Sequence, residues 1–209
     1  MKLDHRRTIL VGLAFLSICA FWQMYDSVIP KILTETFHLN ETLSGAIMAL
    51  DNILALFLLP LFGALSDRTS TKIGRRMPFI LLGMACAAVL MNLLPVLDNR
   101  YAAAPSTGKL VGFAAVLGLL LVAMGTYRSP AVALMPDVTP KPLRSRANAI
   151  INLMGAVGGI LYLGLAAVLY PASKTHGLAH VSYRPLFLIV SLIMVTAVLI
   201  LYLTIKEPK

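Results

Sequence analysis

Charged residues are scarce in this chain, and acidic residues are the scarcest. Asp, Glu, Lys and Arg make up 13% of its 209 residues, with 9 acids against 18 bases. A typical soluble domain carries about 25% charged residues. Apolar residues instead reach 58%, and the mean hydropathy is +0.83. These proportions exclude a water-soluble domain with a single core and indicate a polytopic membrane protein.

Cysteine and histidine are also rare, which limits the chemistry available to the chain. Cys19 and Cys86 both lie inside apolar runs, so no disulfide framework is indicated. The histidines lie at chain ends or in loops, without metal-ligand spacing. Neither a nucleophile motif nor a filter-like repeat is present. The sequence therefore predicts no enzyme, channel, metal site or cofactor. The four histidines are His5, His38, His176 and His180.

Six apolar runs, each long enough to cross a bilayer, account for most of the chain. Polar segments containing Asn, Pro, Gly and basic residues separate them, including a proline-rich loop over 135–146. The sequence predicts an all-α membrane protein, with residues 1–209 forming one six-helix domain. The predicted helices are approximately 8–34, 41–65, 78–97, 110–134, 147–169 and 185–205.

The basic residues are distributed unevenly between alternate loops. Most of them fall at the two ends of the chain and in the second and fourth loops, including Lys2, Lys72 and Lys206, whereas the other loops hold only a few, such as Lys174. This asymmetry is the positive-inside pattern of membrane proteins, not a surface for nucleic acid. It predicts cytoplasmic N- and C-termini, and we expect the chain to lie in the cell membrane.

The most informative stretch is the polar turn between the second and third apolar runs, PLFGALSDRTSTKIGRRMPFI over 60–80. Gly63 allows close approach of another backbone, and Asp67 can hold a guanidinium. Gly74 permits a positive φ, and Pro78 suits a helix N-terminus, where no N–H bond is lost. The stretch predicts a helical hairpin with a basic cytosolic turn.

This G-x-x-x-D-R-(x5)-G-R-R pattern resembles the loop motif between helices two and three of the major facilitator superfamily. It is most similar to the sucrose-transporter and glycoside-pentoside-hexuronide:cation symporter branches. A second stretch, Pro136-Asp137-(x6)-Arg144-x-Arg146-Ala-Asn148, resembles the helix four to five passage of the sucrose-transporter branch. Two departures stand out. Val132 replaces an arginine of that branch, and Ala55 and Leu59 stand where the cation symporters carry carboxylates, so their sodium site is not implied.

The resemblance implies one half of a major facilitator fold, a 3+3 inverted repeat of six helices. It implies a secondary active transporter, with proton-coupled symport of a sugar or glycoside as the expected activity. It also implies a cytoplasmic gating motif, for which helix capping is the structural alternative. The residues of this motif are Gly63, Asp67, Arg68, Gly74, Arg75, Arg76, Asp137, Arg144 and Arg146.

In this superfamily, polar residues on helices one, two, four and five face a central cavity. We expect Asp51 and Arg128 to form the charged core of the solute and proton site, because charges at mid-bilayer must face a polar interior. At 1.5 Å per residue they lie roughly 12 Å apart in depth, so a salt bridge and a bridging water or sugar hydroxyl are both open. The predicted site residues are Asp51, Arg128, Asp26, Gln23, Trp22, Tyr25, Asn52, Tyr127, Asn148 and Asn152.

Structural interpretations of these residues remain open beside the functional ones. Trp22 and Tyr25 are also typical interface anchors, and Asn148 and Asn152 could join helices by hydrogen bonds. Asp51 and Arg128 could form a fixed ion pair that only holds helices two and four together. At the level of the whole chain, a non-transporting scaffold or an inactive truncated fragment is the alternative to a transporter.

A single six-helix half needs facing helices to complete a site at the midplane. We expect a second six-helix half or a second copy of the chain as partner, beside the bilayer, the solute and the proton. The final residues, Lys206 to Lys209, look like the start of a central linker, which favours truncation. The faces of helices two and five that contain Gly63 and Gly155-x-x-x-Gly159 are expected to lack partners within this chain.

Overall fold

The computed structural model describes residues 4–205, which form six long helices and one short one. The predictions about Lys2 and about Lys206 to Lys209 concern residues outside this described range. A π-helical turn, Ile32–Thr36, extends the first helix, and a 3₁₀ turn, Lys141–Leu143, precedes the fifth. The helices are α1 His5–Lys31, α2 Glu41–Arg68, α3 Met77–Ala103, α4 Thr107–Val138, α5 Arg144–Leu169, α6 Ala172–Thr175 and α7 Arg184–Thr204.

The prediction of six apolar helices is confirmed. All six long helices are long and apolar enough to cross a membrane. The shortest, α7, has 21 residues and a helical length of about 32 Å, which matches a hydrocarbon core of about 30 Å. The N-terminus of α2 is capped by Asn40, whose side-chain oxygen accepts from the Leu43 N–H at 2.8 Å.

Several helix ends lie beyond the approximate predicted bounds. Helix α3 continues to Ala103 instead of stopping at 97, so Asp98 belongs to the helix and not to a loop. Helix α4 continues through Pro136 to Val138, and α5 begins already at Arg144. Arg144 stabilises the C-terminal end of α4 by two hydrogen bonds. Its Nη2 donates to the Pro136 carbonyl at 2.7 Å, and its Nε donates to the Thr139 carbonyl at 3.3 Å. This side chain thus caps the end of α4, which lies beyond the position predicted from the prolines of the loop.

Helices α1 and α4 form the centre of the bundle. Helix α1 packs against α5 and α7, α4 packs against α2 and α3, and α3 contacts α7 on one side of the central pair. Two glycines allow the closest approaches. A Cβ on Gly83 would lie 2.6 Å from the Tyr127 backbone nitrogen of α4, and one on Gly158 would overlap the Leu16 carbonyl oxygen of α1. The bundle is therefore held by backbone-to-backbone contacts that only glycine permits.

The outer faces of α2 and α5 are apolar and uncovered. Leu56 and Phe57 of α2 are 70% and 66% exposed, and Ile160 of α5 is 68% exposed. The glycines of these helices, however, do have partners within the chain. A Cβ on Gly155 would lie 2.9 Å from Cys19 Sγ of α1, and one on Gly63 would lie 3.2 Å from Ser129 Oγ of α4. The expectation that they lack partners is wrong, because both point inward.

Candidate functional site

The centre of the candidate site is a small cavity of about 20 Å³ between α1, α2 and α4. Its polar walls are Trp22, Asp51 and Arg128, each from a different helix. The Arg128 guanidinium carbon lies 5.5 Å from the centroid of the Trp22 ring, within the range of a cation–π interaction. The fold thus brings together the aromatic, the acid and the base that the sequence placed on separate helices. The apolar walls are Leu54, Ala55, Leu58, Leu59, Leu121 and Gly125.

Asp51 and Arg128 do not form a direct salt bridge. Within residues 4–205, the ion pairs shorter than 4.0 Å do not include these two side chains. Asp51 Oδ1 instead accepts from the backbone N–H and the side-chain amide of Asn52, at 2.6 Å and 2.8 Å. The fixed ion pair considered from the sequence is therefore absent here. A carboxylate and a guanidinium that share a cavity without pairing leave hydrogen-bonding capacity free for a polar ligand.

Two polar atoms beside this cavity are buried without a hydrogen-bond partner, the indole Nε1 of Trp22 and the hydroxyl of Tyr25. The two rings meet edge to face, with centroids 5.3 Å apart. Buried donors are seldom left unsatisfied in native proteins, because each one costs about 1–3 kcal/mol. The Trp22 Nε1–H can donate a hydrogen bond to a molecule that reaches the cavity, and the Tyr25 hydroxyl can donate or accept one.

A second polar group lines a groove of about 400 Å³ between α1 and α5. Gln23 and Asn152 both line it. Asn148 is exposed one turn before Asn152, as the four-residue spacing predicts. Asp26 and Asn52 are exposed as well, although neither lines the central cavity.

Tyr127 does not belong to this group. Its side chain is 0% exposed, and its hydroxyl lies 2.7 Å from Ser17 Oγ and donates to the Ala14 carbonyl at 3.3 Å. These atoms bind α4 to α1. The prediction that Tyr127 lines the solute site is corrected on this geometry, because its polar atom is already satisfied in the core.

Several of the predicted gating residues meet at the C-terminal ends of α2 and α4. Arg76 is 6% exposed and links three elements: Nη1 donates to Ser66 Oγ at 2.7 Å, Nη2 to Asp67 Oδ1 at 2.6 Å, and Nε to Asp137 Oδ2 at 2.9 Å. Arg75 lies 3.8 Å from the same Asp137 oxygen. Asp67 thus binds the Arg76 guanidinium, as expected, and Asp137 binds the same guanidinium.

The other residues of the motif shape or flank this cluster. Gly74 has φ 114°, and its carbonyl accepts from the Thr71 hydroxyl at 2.6 Å, so the turn uses the conformation that only glycine adopts freely. Arg144 caps the α4 terminus as described above. Arg68 and Arg146 are exposed, with no ion pair among the described residues.

One polar group at the opposite end was missed by the sequence reasoning. Asp98 is 0% exposed, neither carboxylate oxygen has a hydrogen bond, and His180 Nε2 lies 3.6 Å from Oδ2. His180 comes from the segment between α5 and α7. Asp98 follows an apolar run and is read as the first residue of a loop, and no spacing connects it with His180. No cluster of three His, Cys, Asp or Glu suited to a metal ion occurs between residues 4 and 205.

Six helices that are long and apolar enough to cross a membrane, with polar residues gathered between the central ones, indicate an integral membrane protein. The family model of the Major Facilitator Superfamily matches residues 11–209, and the chain belongs to that family. The resemblance seen in the motifs is confirmed.

Named relatives are similar at low identity. Sucrose transport protein SUC3 of Arabidopsis thaliana is 29% identical over 152 residues, which is 67% of this chain and 25% of that protein. Sucrose transport protein SUC4 of the same plant is 34% identical over 51% of this chain and 22% of its own length. The putative glycoside/cation symporter YagG of Escherichia coli K12 is 26% identical over 90% of this chain and 40% of its own length. The chain thus spans less than half of each of these relatives.

Proposed function

We propose that this chain forms the N-terminal half of a secondary active transporter that carries a sugar or glycoside together with a proton. It is a solute carrier and not an enzyme. The observation that supports this most directly is the cavity shared by Trp22, Asp51 and Arg128 without an ion pair. The names of the relatives, sucrose transport proteins and a glycoside/cation symporter, support the solute class.

The chemistry of the cavity fits a polyhydroxylated solute. Aromatic rings cover the apolar faces of sugars, and carboxylates, guanidinium groups and amides bind hydroxyls as acceptors and donors. The unpartnered Trp22 Nε1 and Tyr25 hydroxyl offer two further contacts. Gln23 and Asn152 in the neighbouring groove extend the polar surface beyond the 20 Å³ cavity, which by itself is too small for a sugar. The solute therefore binds on the open side of α1, α2, α4 and α5.

Asp51 is the proposed proton carrier. Its carboxylate accepts hydrogen bonds from the adjacent Asn52 and lines the same cavity as Arg128. In the proposed cycle Asp51 is the neutral acid in one state of the cavity and the anion in the other. This alternation gives the coupling that a proton symporter needs.

A second six-helix unit completes the site in this proposal, either another half or a second copy. The open side contains the exposed polar residues Asp26, Asn52 and Asn148 within a largely apolar face. Such residues are costly against lipid and are satisfied by facing helices or a water-filled cavity. In this proposal the Arg76 cluster and both termini lie on the cytoplasmic side of the cell membrane. There the cluster fastens α2 to α4 in one state of the transport cycle.

The single tryptophan of the sequence makes the proposal testable, because Trp22 is its own reporter. Purified chain in lipid nanodiscs is titrated with sucrose, an aryl β-glucoside and, as a non-sugar control, glycine betaine. Saturable quenching of Trp22 emission by a sugar is expected. Asn152→Leu is expected to weaken it severalfold, while Leu153→Ala, a change at the adjacent and 65% exposed position, leaves it unchanged.

A matched measurement in native membranes covers the case in which a second unit is required. If Trp22 emission is unchanged by every sugar in nanodiscs and labelled sugar is not retained by membranes that contain the chain, the proposal is wrong. A folded chain that binds no solute in either setting would support the scaffold alternative.

A further inference from the structure

The segment between α5 and α7, residues 170–183, crosses the end of the bundle opposite to the Arg76 cluster. We call it the strap. The Tyr170 hydroxyl donates to the Ser182 carbonyl at 2.9 Å, and Ser182 Oγ accepts from Asn99 Nδ2 of α3, also at 2.9 Å. His180 is the second link of the strap to α3. The strap is thus held to the α3 terminus by side chains alone.

His180 lies between two elements that are far apart in the sequence. Its Nε2 is 2.8 Å from Asn99 Oδ1, and its Nδ1 is 3.4 Å from the Thr36 hydroxyl of the π-helical turn after α1. Because Asn99 Oδ1 is an acceptor, Nε2 carries a hydrogen, and in the neutral ring Nδ1 accepts from Thr36. The neutral imidazole is therefore fully hydrogen-bonded, but it supplies no charge to its surroundings.

The buried acid beside His180 is Asp98, and the Thr36 side chain is its other polar neighbour. Its carboxylate is 0% exposed, both oxygens are without hydrogen bonds, and the nearest cationic group in the salt-bridge geometry is His180 Nε2 at 3.6 Å. A buried carboxylate without hydrogen bonds is costly unless a proton or a counter-charge neutralises it. A proton on the imidazole would supply that counter-charge where it is needed.

We infer that Asp98 and His180 form a proton-binding site, separate from Asp51, that fastens the strap to the ends of α1 and α3 when it is occupied. One proton binds at Nδ1 of the neutral ring, and the resulting imidazolium pairs with the Asp98 carboxylate. The proton comes from the solvent, and the N–H bond that it forms is the only covalent change. The site lies at the terminus of α3, whereas Asp51 lies midway along α2, and the inference does not depend on the solute of the transporter.

Other titratable groups lie near this site, and Lys31 lines the same neighbouring cavity as Glu35. Glu35 of the π-helical turn adds a second negative charge, and Tyr170 and Tyr183 of the strap are phenols. Burial, with the nearby charges of Glu35 and Asp98, raises the pKa of Tyr183 to about 12. Burial also raises the pKa of Tyr170. Both phenols therefore stay neutral between about pH 5 and 8, the range in which histidine changes charge.

The strap also forms one wall of a cavity of about 500 Å³. Tyr162 of α5 lines the cavity together with Tyr170 and Tyr183, and Thr175 and Leu178 of the strap close one side. Protonation adds the ion pair with Asp98 to the contacts that hold this wall against the bundle, whereas neutral His180 keeps just its hydrogen bonds to Asn99 and Thr36. The expected effect of a falling pH is a less mobile strap.

The test measures strap mobility by electron paramagnetic resonance. A nitroxide is attached at Leu178→Cys, a 58% exposed position, in the full chain with Cys19→Ala and Cys86→Ala, reconstituted in nanodiscs. Between pH 8 and pH 5 the mobile component of the spectrum should fall severalfold. His180→Gln, which keeps a side chain able to hydrogen-bond, should remove this dependence. Asp98→Asn should remove it as well.

His176→Gln is the matched control, because His176 lies in the same strap without an ion pair among the described residues. It should retain the full pH dependence. A mobile component that does not change with pH in the parent chain, or one that still changes in His180→Gln, would overturn the inference. If Asp98→Asn does not fold, the His180→Gln and His176→Gln pair decides the question alone.

Discussion

Arg76, immediately before α3, donates from its Nε to Asp137 Oδ2 in the last turn of α4 over 2.9 Å. The same guanidinium also contacts Ser66 and Asp67 at the end of α2. This side chain, which is 6% exposed, thus joins the end of α2 to the end of α4, and its partner Asp137 lies 61 residues further along the chain. The planar guanidinium suits this position because it presents several donors in fixed directions.

Replacing Arg76 by lysine should therefore destabilise the chain, although the charge is kept. A single ammonium cannot reach all three partners, and the loss is expected to be about 2 kcal/mol, the value of one hydrogen bond to a charged group. Denaturant unfolding in detergent micelles measures it. Arg68→Lys, at the exposed last position of α2, should change the free energy of unfolding by less than about 0.5 kcal/mol. Equal effects of the two substitutions would contradict the assignment.

Two glycines of α5 should respond differently to alanine. In Gly158→Ala the new methyl group overlaps the Leu16 carbonyl of α1, and a loss of about 1–3 kcal/mol is expected from overpacking. A Cβ on Gly164 meets no atom within 4 Å, so Gly164→Ala should be neutral or slightly stabilising. Thermal unfolding of the two variants compares them directly, and an equally tolerated Gly158→Ala would show that α1 and α5 do not pack this closely.

Tyr127→Phe should affect stability and not solute binding. The change removes the hydroxyl that lies 2.7 Å from Ser17, while Ser17 keeps its own bond to the Ala14 carbonyl at 2.9 Å. We expect a loss of about 1 kcal/mol, the net value of one hydrogen bond. Sugar-dependent quenching of Trp22 should stay within a factor of two of the parent. A tenfold weaker sugar titration with normal stability would return Tyr127 to the solute site.

Asp51→Asn should separate proton coupling from solute movement. The amide keeps the shape of the carboxylate but binds no proton at Oδ, so accumulation driven by a pH gradient should be lost, whereas exchange of labelled for unlabelled sugar continues. Both are measured in membranes where the chain supports accumulation. Glu41→Gln, at the exposed start of α2, serves as the control and should accumulate normally. Normal accumulation by well-folded Asp51→Asn would end the coupling hypothesis.

The two ends of the bundle should face opposite sides of the membrane. Lys72 lies in the turn between α2 and α3, and Lys174 lies in the strap between α5 and α7. In a chain with Cys19→Ala and Cys86→Ala, a membrane-impermeant maleimide added to intact cells should label Lys174→Cys and leave Lys72→Cys unlabelled until the cells are opened. Labelling of both from one side would contradict the proposed orientation.

The local part of this structure was determined by the sequence. Six long apolar runs specify six helices because only a helix satisfies all the backbone hydrogen bonds of a membrane-spanning segment within that segment. The G-x-x-x-D-R-(x5)-G-R-R stretch specified the turn, since Gly74 takes the positive φ that it permits and Asp67 binds the nearby Arg76. The family also followed from motifs that lie within short stretches of chain.

Tertiary contacts decided the rest. Whether Tyr127 faces a cavity or the core depends on where Ser17 of α1 lies, and periodicity gives no such information. Asp98 and His180 meet through the packing of α3 against the strap. Helix α3 also continues past Asp98, where the sequence predicts a loop. Asp51 and Arg128 share a cavity without pairing because their depths and rotations are set by the packing of α2 on α4. Sequence spacing fixes neighbours one turn apart, whereas distances between helices follow from how their side chains interlock.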